Sequence, residues 1–171
     1  MNLGRRTRDT RGAIRWRRFQ HLGATVEYPA GTCWECTRCT ICCQDTASHK
    51  RCIRILPQEV SRISLETDLK AEQFSTPHLS SSPYTHEMRK VSGKCFFLRD
   101  GLCSIYDARP ITCVFYPFFL NRTADGCYRF ELTPEKCAGT SHGREISEMR
   151  FRRLFALAMG RLSRASEDLA F

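Results

Sequence analysis

The clearest periodicity lies at the C-terminal end of the chain. From Arg144 onward, Phe151, Phe155, Ala158, Leu162, Ala165 and Leu169 recur at steps of four, three, four, three and four, and Leu154 and Leu157 widen the stripe. That repeat predicts an amphipathic helix over 144–169 with its apolar face buried in the domain. Upstream, the patterning is shorter. RCIRIL at 51–56 alternates as a strand does, with Cys52, Arg54 and Leu56 on one face. Pro57 then suits a first helical turn, and Val60, Ile63 and Leu65 follow at helical spacing. A second short helix is predicted over 68–74, and the Ser- and Pro-rich STPHLSSSP at 75–83 reads as a surface loop.

β-type patterning resumes after that loop. THEMRKV reads as a strand, and KCFFLRDGLCSIY as a hairpin turning at Arg99-Asp100-Gly101. Asp107 is placed to cap a single helical turn over ARPITC, and FYPFFLNRTADGCYRFELT predicts another hairpin with its turn near Ala124-Asp125-Gly126. Before the cysteines, HLGATVEYPAGT reads as an extended lead-in, with Pro29 and Gly31 marking a turn. The fold class expected is therefore α+β: a small, irregular, metal-nucleated domain of short strands and helices, closed by the C-terminal helix.

Composition sharpens this picture in two ways. Hydrophobic residues make up 42% of the 171, enough for a folded core, and no run of 18 apolar residues spans a membrane. Charge is uneven. Residues 1–20 hold seven arginines against Asp9, so most of the net +9 sits there. The chain divides into a basic arm, 1–20, and a domain, 21–171. The arm suits phosphate contacts, so nucleic acid is a possible partner beside an acidic protein or a larger complex. No signal-like apolar segment follows the arginines, and the chain reads as cytoplasmic.

The candidate chemistry is thiol chemistry. CWECTRCTICC places five of eleven cysteines within eleven positions. An odd total in a reducing compartment argues against a disulfide framework, and a thioredoxin-like pair needs only one Cys-x-x-Cys. Metal ligation is the reading that remains. Cys36, Cys39 and Cys42 follow C-x2-C-x2-C, the spacing bacterial ferredoxins use for three ligands of a cubane cluster, whereas zinc sites more often use separated pairs. Adjacent side chains diverge, so Cys42 and Cys43 are not expected to serve one metal in the same way. One of them is expected to turn toward a second centre or the core, and Cys43 stays with the distant set of candidate fourth ligands. Cys95, Cys103 and Cys113 are too far apart for a local chelate, but a hairpin and a helical turn can gather them. Cys137 follows in a segment whose glycines permit a close backbone approach. These eight suffice for two four-thiolate sites. Cys36, Cys39 and Cys42 are expected to share one centre, with a fourth ligand from the distant set. The histidines lack paired ligand spacing, and only His142 stands in reserve.

CTRCTICC, CFFLRDGLCSIYDARPITCVFYPF and CAGTSHG together resemble the CxxCxxCC family, YkgJ-type cysteine cluster proteins described as zinc- or iron-chelating domains. The resemblance spans about 36–143 and implies that Cys36, Cys39, Cys42, Cys43, Cys95, Cys103, Cys113 and Cys137 are its metal ligands. Cys33, Cys52 and Cys127 fall outside the pattern, and Ala138 stands where proline is usual. The expected cofactor is an iron–sulfur cluster of the 4Fe-4S type in a redox or accessory-subunit role. Zinc in a structural module is the alternative. The family also includes flagellin lysine N-methylases, so a methylase-like enzyme component is the third reading; no catalytic residue is assigned. Arg109 and Tyr106, in SIYDARPITC, are candidate cofactor-binding residues, with Arg109 donating hydrogen bonds to thiolate or sulfide; an Arg109–Asp107 pair is the competing structural role.

Overall fold

Two small cores share one short helix, and that helix positions the thiols. The computed structural model describes residues 14–78, 83–134 and 137–168, with side chains as far as residue 163. The first core begins with a hairpin of β1 (Trp16–His21) and β2 (Ala24–Pro29), turning through Leu22 and Gly23 at positive φ. The extended lead-in is thus half of a hairpin, and the boundary at residue 20 falls inside a strand. Next come β3 (Cys33–Trp34), a single 3-10 turn (Ile41–Cys43), β4 (Arg54–Ile55) and α1 (Pro57–Thr67). Pro57 opens α1, and Asp68 in the left-handed region closes it. The second short helix is only α2 (Ala71–Phe74), because residue 68 belongs to that cap.

Six short strands follow: β5 (Ser75–Pro77), β6 (His86–Met88), β7 (Lys90–Val91), β8 (Lys94–Cys95), β9 (Leu98–Arg99) and β10 (Leu102–Cys103). The turn at Asp100-Gly101 has positive φ at both residues, the conformation a two-residue hairpin requires. Helix α3 (Ile111–Phe115) starts after Pro110. Asp107 does not cap it. A proline with its fixed φ serves as the N-cap instead. Then come β11 (Phe118–Arg122), β12 (Tyr128–Leu132), β13 (Thr140–Glu145) and α4 (Glu148–Asp168). Arg144 and Glu145, expected in the last helix, belong to β13. The helix therefore begins at Glu148, and Leu169 lies outside the described residues.

Sheet order is β1-β2-β12-β11, antiparallel except for the parallel β2–β12 pair. Helix α4 covers it with Phe151, Leu154, Phe155 and Ala158, all buried against Phe19, Tyr28, Phe118 and Phe130. Tyr28 stacks on Phe151 at 4.9 Å between centroids, and Phe118 meets that ring edge-on at 5.2 Å. The second core joins α1, α2 and the short strands through Ile53, Ile55, Ile63, Phe74, Met88, Phe97 and Ile105.

The carboxylate of Glu59, 1% exposed, ties the two together. It accepts hydrogen bonds from the backbone N–H of Leu56 (3.2 Å) and Ile111 (2.7 Å) and pairs with Arg161 of α4 at 2.8 Å. Helix α3 sends Ile111 and Phe115 into the first core and leaves Cys113 packed against the second.

Candidate metal centre

The cysteine-rich loop turns through two left-handed residues, Arg38 (φ 56°) and Thr40 (φ 62°). A β-branched residue rarely adopts that conformation. Here the Thr40 carbonyl accepts the Cys43 N–H at 2.7 Å, closing the turn that carries Ile41, Cys42 and Cys43. Asp45 then clamps the loop to the β7–β8 hairpin. Its N–H donates to the Gly93 carbonyl at 2.8 Å, and its carboxylate accepts from Lys90 Nζ (2.7 Å) and the Arg51 N–H (2.8 Å). The hydrogen bond from Lys90 holds the Asp45 carboxyl below its ordinary range. This clamp brings Cys42 and Cys43 to Cys95.

Five thiols gather at the edge of the second core. Cys95 is buried, and Cys43, Cys103 and Cys113 pack against the same cluster. Cys42 Sγ lies 3.5 Å from Cys43 Sγ. The two adjacent side chains therefore converge, contrary to the expected divergence, because the 3-10 turn brings them to one side. Cys42 is within electrostatic reach of Cys95, Cys103 and Cys113, and Cys113 of Cys95 and Cys103.

Burial pushes the thiols of Cys95 and Cys103 up, and that of Cys113 to about 12. The shared hydrogen bond with Cys43, then burial, pushes Cys42 up strongly. Such thiols ionise only when a cation compensates the charge, so metal binding and proton release are coupled here. Among the described residues, no three Cys, His, Asp or Glu side chains are already arranged to hold a metal ion. The donor chemistry nevertheless fits a thiophilic ion: the Cys42 and Cys43 sulfurs lie 3.5 Å apart, and Cys95, Cys103 and Cys113 are soft sulfur donors in the same electrostatic neighbourhood. Arg51 supplies a guanidinium beside Cys42 and Cys113.

That guanidinium belongs to Arg51. Its Nε donates to the Cys42 carbonyl at 3.3 Å, its Nη2 to the Thr112 carbonyl at 3.5 Å, and it lies 5.3 Å from the Tyr116 ring centre. It therefore bridges the cysteine loop to α3. Its charge acts on both Cys42 and Cys113 in the direction that favours thiolate. Nothing in the pattern RCIRIL marks it, since the role depends on a carbonyl 61 residues away.

The remaining motif cysteines are placed differently. Cys36 is exposed and Cys39 half-buried; of the C-x2-C-x2-C trio, Cys42 acts electrostatically on Cys95, Cys103 and Cys113. Cys137 is buried and accepts a hydrogen bond from Trp34 Nε1 at 3.4 Å. The β3–β13 pairing puts it there, and Gly139 makes the approach possible: a Cβ on Gly139 would sit 2.0 Å from the Glu35 carbonyl oxygen. Cys33 lies on β3 opposite Glu145, Cys52 is exposed, and Cys127 follows the β11–β12 turn. His142 is exposed on β13. Arg109 lies 3.7 Å from the Tyr106 ring centre and donates to the Tyr106 carbonyl, and its charge reaches Cys103.

A family model of cysteine-rich domains matches residues 35–149. The chain belongs to the CxxCxxCC family. The family is described as a "Putative zinc- or iron-chelating domain". The matched span contains all eight motif cysteines together with Arg51, and it ends in the first turn of α4. As in the family's description, metal chelation is the chemistry of this domain. Strands β1 and β2 lie outside the match. No curated protein and no solved structure matches the chain. Among the described residues, no helix is long and apolar enough to cross a membrane.

Proposed function

We propose that Cys42, Cys95, Cys103 and Cys113 hold an iron–sulfur cluster of the cubane type, and that the domain serves redox transfer or acts as an accessory subunit. What supports the reading is that these four thiols, from a loop, two hairpins and α3, act on one another electrostatically, with Arg51 beside Cys42 and Cys113 and Arg109 acting on Cys103. Four thiolates are the ligand set of such a cluster, and neighbouring donors and burial set its potential. A bound cluster supplies one-electron chemistry. The chain's own residues orient the loop through the Asp45–Lys90 clamp, screen negative charge through Arg51, and exclude water with Phe97 and Ile105. Cys43 adjoins Cys42, and we assign Cys36, Cys39 and Cys137, the last beside Trp34 of β3, to a second centre. Arg109 is assigned to charge compensation beside Cys103 and Tyr106 to stacking on it.

Anaerobic purification with iron, zinc and acid-labile sulfide analysis tests the reading. One cluster gives roughly four irons and four sulfides per chain with broad visible absorption. Stoichiometric zinc without sulfide replaces it with a structural zinc module.

A further inference from the structure

On the far side of Arg51 from the cysteine loop, α3, β11, β12 and α4 border a cavity of about 400 Å³. That volume suits a small organic ligand. Its walls include Phe115, Phe118 and Phe119, and three guanidinium side chains line it, from Arg51, Arg54 and Arg122. No carboxylate does, among the described residues. Arg51 is committed to two carbonyls. Arg54 and Arg122 are different. Neither makes an ion pair among the described residues, although Glu87 lies opposite Arg54 across β4 and β6. Tyr116 also lines the cavity, and its buried hydroxyl has no hydrogen bond of good geometry, although Thr133 is close enough to influence it.

We propose that this cavity binds a small carboxylate with an apolar body. The carboxylate is held by Arg54 and Arg122, and the body lies against the phenylalanine rings. Charge complementarity selects the occupant. Arg122 rests over the Tyr128 ring and Arg54 beside Cys52, neither ion-paired among the described residues. A chamber of apolar walls and arginines with no carboxylate in its lining therefore favours a ligand that brings both parts. A guanidinium fork matches a carboxylate in two parallel hydrogen bonds. Inorganic phosphate can take the same guanidinium donors but leaves the phenylalanine walls uncovered, so the apolar body is what favours a carboxylate of this kind. The proposal does not depend on which metal the thiols hold.

Calorimetric titration of the full-length, metal-loaded protein with octanoate, octanol and inorganic phosphate tests it. Octanoate is expected to bind saturably at one site per chain, with octanol and inorganic phosphate each at least about tenfold weaker, since each supplies only one of the two matching parts. Replacing Arg54→Gln and Arg122→Gln together should weaken octanoate about ten- to a hundredfold, the value of a charge-assisted hydrogen bond. Octanol binding, metal content and circular dichroism should be unchanged, since both arginines are exposed. Absence of saturable octanoate binding, equal affinity for octanol, or an unaffected double variant overturns the proposal.

Discussion

Cys113 and Cys33 share a side chain and differ in surroundings. Cys113 sits on α3 within reach of three other thiols, whereas Cys33 faces Glu145 at the end of a two-residue strand. Serine nearly preserves shape but is a poor ligand, so Cys113→Ser should lose the metal of the gathered centre while Cys33→Ser keeps it; metal analysis of both variants is the check. Glu27 is the other decisive residue. Burial raises its carboxyl, but hydrogen bonds and charge from Arg129 and Arg18 outweigh this, and the net shift is downward. With a folded pKa below the unfolded value, its stabilisation is full above about pH 4.3 and is lost as pH falls through the folded pKa. Glu27→Gln should therefore be less stable than wild type at neutral pH, with the gap narrowing on acidification. Melting curves that stay parallel down to about pH 2 would contradict this linkage.

At the scale of elements, α4 and the β3–β13 pair do different work. Phe155 is fully buried and meets Phe19 at 6.4 Å and Tyr128 at 5.1 Å between ring centroids. Phe155→Ala should cost about 3–5 kcal/mol, read from denaturant unfolding. A stability change below about 1 kcal/mol would mean that the helix face is not core. For β3–β13, the contact is steric. Gly139→Ala puts a methyl 2.0 Å from the Glu35 carbonyl, and backbone cannot yield as a flexible side chain can. The strands should separate locally and Cys137 should lose its Trp34 N–H. Faster thiol labelling of Cys137, with Phe155-dependent stability little changed, is the expected signature.

For the whole molecule, the two cores differ in how they are held. The first has strands of five and six residues under a long helix, while the second relies on strands of two or three residues. Short strands offer few ladder hydrogen bonds, so bound metal should carry more of the second core's stability. Removing the metal with a chelator is therefore expected to raise hydrogen exchange in β7–β10 and α3 well before β2 and β12; a uniform rise would show that one cooperative unit spans both. The basic arm is also affected by the architecture. Arg18 and Arg129 are paired with Glu27, which leaves them less available to an acidic partner, and Trp16–His21 is sheet rather than tail.

The periodic stripe of α4, the hairpins at Asp100-Gly101 and Asp125-Gly126, and the start of α1 at Pro57 were legible because each rests on local spacing and turn chemistry. The family pattern of eight cysteines was legible for the same reason. A hairpin and a helical turn bringing Cys95, Cys103 and Cys113 together was expected too; what holds them there, and Cys43 beside Cys42, was not. Arg51 reaching a carbonyl on α3, Asp45 holding the β7–β8 hairpin, and Gly139 admitting Glu35 all join residues far apart in the chain. Convergence of Cys42 with Cys43 depends on a left-handed Thr40, a conformation that the bare sequence disfavours and the loop's closure imposes. Local patterns select elements and donor types. Which donors meet is decided by long-range packing, whose energy resides in contacts that no short window of sequence contains.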